Sequence, residues 1–74
     1  MGRYFFNLTD GTREIDDAGT ELADQHAAER EGIRHVGEIM KFEPDRLAEG
    51  EMSLDVRDEA GRLLFVIQVR LSRG

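Results

Sequence analysis

DQHAAEREGIRHVGEIMKFEP, residues 24–44, is the stretch that decides the fold. It alone carries an apolar period of helical length. At about 100° per residue, Ala28, Gly32, Ile33, Val36, Ile39 and Met40 fall in a stripe about 140° wide, with Arg30, Glu31, Arg34, Glu38 and Lys41 outside it. Asp24 is a good N-cap for a helix over Gln25–Phe42, and Leu22 just ahead of it can fix the direction in which the chain arrives. Pro44 disfavours continuation. The pairs Glu31–His35, Arg34–Glu38 and Glu38–Lys41 stand three or four apart and should support the exposed face by roughly a few tenths of a kcal/mol each. Glu29 is a misfit inside the apolar arc, expected at a wet rim. Gly32 costs about 1 kcal/mol against alanine in a helix interior. It lies mid-stripe, one turn after Ala28, which predicts close approach of helix to sheet, with Tyr4 and Phe6 as the rings it meets. Gly37, at the margin, has no comparable reading.

Outward from the helix, the period becomes two. Residues 3–9 read as a strand with Tyr4, Phe6 and Leu8 on one face and Phe5, Asn7 and Thr9 on the other. Asp10-Gly11 is a turn signal, and Arg13–Asp16 is a thin return strand with Ile15 as its one apolar residue, ended by Asp17-Ala18-Gly19. Beyond the helix, residues 43–50 form a loop with a helical turn around Asp45–Ala48 and Leu47 tucked under it. Glu51–Arg57 alternates, with Met52, Leu54 and Val56 inward, as in a half-buried edge strand. Asp58–Gly61 is a tight turn. Arg62–Leu71 is the last strand, with Leu63, Phe65, Ile67, Val69 and Leu71 on one face and Leu64 and Val66 on the other. The expected class is α+β in the order ββαββ: two β-hairpins forming one four-stranded sheet, a single helix packed on one face, residues 1–74 as one domain. The two richest strands, first and last, are expected in the middle, in spatial order 2-1-4-3; the order 2-1-3-4 stays open.

Composition narrows function. A chain of 74 residues buries only about 60% of its unfolded surface, enough for one helix–sheet layer pair but not for a deep pocket. With no cysteine there is no disulfide or thiolate site, nothing points to an oxidising compartment, and a cytoplasmic protein is expected. Asn7, Thr9 and Asp10 break the first apolar run before a signal core forms. Gly2 raises N-myristoylation, but Phe6 stands where the motif needs Ser or Thr. No run approaches the roughly 20 apolar residues of a membrane span. The net charge of −6, from 16 acids against 10 bases, repels phosphate and disfavours nucleic acid and anionic membranes as partners. Arg57, Arg62, Arg70 and Arg73 are the nearest approach to a basic patch and read as solvated.

No catalytic, cofactor-binding or metal-binding residue is assigned, and the chain does not read as an enzyme. His26 and His35 fall on opposite sides of the helix and cannot share a metal; His35 reads as a surface partner of Glu31. The acids Asp10, Glu14, Asp16, Asp17, Glu21 and Asp24 lack the ligand alternation of a calcium loop. Ser53 and Ser72, the only serines, have neither a neighbouring histidine nor a glycine elbow. One feature exceeds what folding requires: Phe5, Leu64 and Val66 belong to the sheet face away from the helix. If the first and last strands are neighbours they form an apolar patch, a candidate partner surface.

Arg3-Tyr4-Phe5-Phe6, then Asp17-Ala18-Gly19-Thr20-Glu21-Leu22 with Asp24 leading into an Ala-rich helix, then Asp58-Glu59-Ala60-Gly61-Arg62 before a hydrophobic strand, resemble along the whole chain a family of short bacterial proteins. That family is common in rhizobia and their alphaproteobacterial relatives and is a domain of unknown function. The chain departs from it in having Gly2 in place of proline and Asn7 in place of histidine, so chemistry depending on that histidine is not expected. The hairpin, Gly-Thr and following helix are more distantly similar to the half-fold of HicB-type antitoxins, where sheet and helix form a dimerising, partner-binding module. The expected function is a protein-interaction module, a homodimer self-associating through its sheet. The alternative is an antitoxin-like or regulatory protein binding a basic partner.

Overall fold

The helix begins and ends where its signals stand. The Asp24 carboxylate accepts the Ala27 N–H at 2.9 Å, and helix α1 runs Gln25–Phe42 before the 3-10 turn Pro44–Leu47. The computed structural model describes all of residues 1–74. Around α1 lie the strands β1 (Gly2–Thr9), β2 (Arg13–Glu14), β3 (Thr20–Leu22), β4 (Glu51–Arg57) and β5 (Leu63–Arg70). They form one antiparallel sheet in the order β2-β1-β4-β5, with β3 also paired to β1. The chain is thus α+β, but its order is βββαββ, not ββαββ.

The extra strand follows from Asp16. The return strand is shorter than expected and Ile15 lies in solvent, because Asp16 leaves the ladder. Its N–H donates to Asn7 Oδ1 at 2.9 Å, and its carboxylate accepts the N–H groups of Phe6 at 3.1 Å, Ala18 at 3.2 Å and Gly19 at 2.9 Å. A side chain therefore takes the place of a neighbouring strand at the middle of β1. The chain turns at Gly19, φ +75°, and rejoins β1 as β3, with Tyr4 opposite Thr20 and Gly2 opposite Leu22.

The strand order is 2-1-3-4 in hairpin numbering, which overturns the expected 2-1-4-3. The Glu51–Arg57 strand is central, and the richly apolar last strand is the edge. Polar residues on the outer face of β4 do not confine it to an edge, because they satisfy one another there. On its inner face Met52, Leu54 and Val56 are buried against Leu8 of β1 and against Val36 and Ile39 of α1. Leu47 tucks under the helix as expected.

Close approach at Gly32 holds, but its partners differ. An ideal Cβ there would stand 3.0 Å from Ile67 Cδ1 and 3.5 Å from both Leu54 Cδ2 and Phe65 Cε2. The helix thus crosses β4 and β5, not the Tyr4 and Phe6 rings of β1. That placement leaves Ile33 outside the core at 63% exposure. Arg34 pairs with both Glu31 and Glu38, so the expected Glu38–Lys41 pair does not form. Lys41 Nζ instead sits 5.1 Å from the Phe42 ring centre.

Candidate interaction surface

The two edges of the sheet differ. Along β1 the outer edge is covered by β2, the Asp16 carboxylate and β3. Along β5, eight residues long, no strand pairs on the outer side. An edge strand of this kind presents unpaired N–H and C=O groups, a template for another chain. Its side chains are apolar as well. Leu63, Val66 and Leu71 on or beside β5, and Ile33 on the helix next to it, are four of the chain's seven exposed large hydrophobic residues. Glu29, Ile33, Phe65, Val66 and Ile67 line a shallow groove of about 250 Å³ along this edge.

The three residues expected to cluster are not brought together. Phe5 stands opposite Arg57, so the whole of β4 separates it from β5. Its ring also lies under the turn at Gly19, where an ideal Cβ would stand 2.9 Å from Phe5 Cε2. Leu64 is the extra residue of a bulge, since Val56 pairs with Phe65 and Arg57 with Leu63. It lines a different shallow cavity with Tyr4, Gln25 and Asp58–Ala60. Of the three, Val66, 43% exposed, is the one that faces the open edge. Strand order separates Phe5 from β5, and the bulge takes Leu64 out of step with Val66.

Between Phe5 and Val66 the outer sheet face is polar. Asp55 is 8% exposed and Asn7 5%. Asp55 accepts from Arg13 Nη1 at 3.0 Å, Arg57 Nε at 3.0 Å and Asn7 Nδ2 at 3.2 Å. Burial pushes the Asp55 carboxyl up, but the hydrogen bonds from Arg13, Arg57 and Asn7 outweigh it and hold the group below its ordinary value. Asp16 behaves alike: burial raises it, and the N–H donors of Gly19, Phe6 and Ala18 bring it below the ordinary range. Both carboxylates hold strands together through these hydrogen bonds. This network was not predicted from sequence. Its signal is the run Asp55-Val56-Arg57 with Asn7 on the outward face of the first strand, readable only once the register sets Asn7 opposite Asp55.

The remaining polar candidates are also placed. Three of the four arginines of the supposed basic patch hold acids: Arg57 with Asp55, Arg62 with Asp58, Arg70 with Glu51. His26 is exposed, and His35 lies on the β1 side of α1 in a shallow cavity with Phe6, Asp16, Thr20 and Glu31. The Glu31 carboxyl is lowered first by its hydrogen bond from Arg34, with His35 adding its charge. No three His, Asp or Glu side chains converge in a metal-holding geometry. No helix is long and apolar enough to cross a membrane.

Fold and surface together define a small α+β module: one helix on a five-stranded antiparallel sheet with one long unpaired edge strand, β5. The chain belongs to the domain-of-unknown-function family DUF6894, which matches residues 3–70. The expected membership of a family of unknown function holds at that level. No curated protein and no solved structure matches the chain.

Proposed function

We propose that this protein is a protein-interaction module that self-associates through its sheet, with the β5 edge as the contact. The observation that carries this reading is an eight-residue edge strand left unpaired and flanked by exposed Ile33, Leu63, Val66 and Leu71. A small domain has little core to spare, and covering such an edge adds buried apolar area and ladder hydrogen bonds together. The reading takes the protein as a cytoplasmic binding protein rather than an enzyme.

Light scattering coupled to size exclusion tests it across a concentration series. The expected particle has twice the 8.4 kDa chain mass, and Val66→Lys returns it to one chain with its helical circular dichroism intact. A single-chain mass at the highest soluble concentration overturns the proposal. A second reading, an antitoxin-like or regulatory protein adding a basic partner to the same edge, is favoured by the net charge of −6. A pull-down from the native host that yields a basic partner released by salt would support it, and an empty pull-down at low salt would count against it.

A further inference from the structure

Three features of α1 are left unexplained by the single chain, and they share one ridge. Gly37 has nothing within 4 Å of an ideal Cβ, so no contact inside the chain accounts for a glycine that weakens the helix interior. Ile33, one turn earlier, is 63% exposed. Glu29 and Lys41, one turn further out on either side, form no ion pair: Glu29 accepts only a 3.4 Å hydrogen bond from Gln25, and Lys41 lies only beside the Phe42 ring, although Arg34 on the same helix holds two acids. Positions 29, 33, 37 and 41 follow one another at the spacing of four that builds a helix ridge. Glu29 and Ile33 place the start of that ridge over the β5 groove, beside Phe65, Val66 and Ile67.

We infer that this ridge packs antiparallel against the same ridge of a second copy, whose β5 pairs with this β5 to continue the sheet. The inference rests on the self-association proposed above and adds where the two-fold axis passes. Because α1 lies over β4 and β5, a paired β5 carries the second helix two strand spacings away, about 9.6 Å. Helices pack at about 8–10 Å. Two steps of strand twist rotate the second helix by about −40 to −50°, and ridges spaced by four interdigitate at about −50°. With the axis midway between 33 and 37, Ile33 of one copy meets Gly37 of the second copy. Glu29 of one then meets Lys41 of the other. An exposed side chain faces a missing one, and an unpaired acid faces an unpaired base, each twice.

The strands locate the same axis. Gly32 rests against Phe65 and Ile67, and position 35 lies about 4.5 Å further along the helix. That is between one and two strand residues, which puts the axis at Ile67. A pairing centred there sets Val66 opposite Gln68 and Phe65 opposite Val69, and keeps every helix-side residue on the helix side. A slip of one residue would turn one copy's face over.

The chain has no cysteine, which makes cross-linking clean. An Ile33→Cys chain is mixed with a differently tagged Gly37→Cys chain and oxidised, with Ile15→Cys as an exposed control away from the ridge. The expected result is a mixed disulfide at least about fivefold over either like-with-like product, and none with the control. Glu29→Lys alone should raise the dimer dissociation constant about tenfold, and Glu29→Lys with Lys41→Glu should restore it. A dimer by light scattering that shows neither the mixed disulfide nor the charge rescue overturns the ridge pairing and leaves self-association standing. A single-chain mass overturns both.

Discussion

Gly32→Ala sets two effects of opposite sign against each other at one atom. Alanine stabilises a helix interior by about 1 kcal/mol over glycine. The added Cβ would stand 3.0 Å from Ile67 Cδ1 but 3.5 Å from Leu54 Cδ2 and Phe65 Cε2. Carbon contacts settle at about 3.5–4.0 Å, so only Ile67 Cδ1 has to retreat, by roughly 0.5–1 Å. It is the free end of a half-buried side chain, so its displacement falls at or below the low end of the roughly 1–3 kcal/mol that overpacking costs. The net change is expected within about 1 kcal/mol of zero. Ile67→Val removes the colliding atom and supplies the sharper test. Alone it should cost about 0.5–1.5 kcal/mol; in the Gly32→Ala background the cost should fall by at least about 0.5 kcal/mol, the scale of coupling between touching residues. Urea unfolding of the four chains, at one protein concentration because association shifts apparent stability, measures the cycle. Single effects that add to within about 0.3 kcal/mol would refute the contact. Gly32→Leu brings three further carbons against Leu54 and Phe65, and should destabilise by about 1–3 kcal/mol. A melting temperature unchanged by it would be equally damaging.

Asp55→Ala strands the buried Asn7 amide, whereas Arg13 and Arg57 are exposed enough to rehydrate. The expected loss is therefore about 1–3 kcal/mol in urea, short of that for a fully buried pair. Asp16 and Asp55 are both held below the ordinary carboxylate value, so the unfolded chain binds more protons than the folded one just below that value. Their stabilisation is full above about pH 4 and is lost as pH falls through the folded pKa values. The acid limb of a melting-temperature profile should flatten in an Asp16→Asn, Asp55→Asn double variant; an unchanged limb would count against the assignment. Gly19→Ala forces a Cβ to 2.7 Å from Arg3 Cγ at φ +75° and should cost about 1–3 kcal/mol, with hydrogen-exchange protection lost first at Thr20–Leu22. Asp24→Ala removes the carboxylate cap on Ala27 N–H and should cost about 1 kcal/mol.

Local chemistry made the helix legible: Asp24 and Pro44 bound it, and Ala28, Gly32, Val36 and Ile39 are its buried face. The inward residues of β1 and β4 were legible for the same reason, since a period of two needs no partner to be read. In β5, Phe65, Ile67 and Val69 point inward as expected, but the bulge sets Leu63 opposite the outward Arg57 and leaves it exposed, and Leu71 lies exposed beyond the strand. What depended on partners was not. Thr20–Leu22 carries no strand period, and it is a strand only because β1 has a vacant edge beside Arg3 and Tyr4. Ile33 belongs to the apolar stripe by angle, but the helix is shifted over β4 and β5, so the stripe's margin overhangs the sheet. Asp55 reads as solvent-facing because a single strand does not reveal that Asn7 of β1 and Arg13 of β2 converge on it beside Arg57 of its own strand. Phe5, Leu64 and Val66 share a face by parity, and strand order together with the bulge at Leu64 decides whether they share a place.

The carboxylate of Asp16 on Phe6 N–H has a consequence for growth. A sheet with two free edges can add chains at both ends and lengthen without limit, as fibrils do. Here one end is closed by a short strand, a side chain and another short strand, none of which offers a long flat ladder. Under the self-association proposed above, pairing of like chains at the other end would exhaust the sites available and yield a finite particle. On that reading, loss of the Asp16 carboxylate would uncover the middle of β1 and open a second place at which a chain could add.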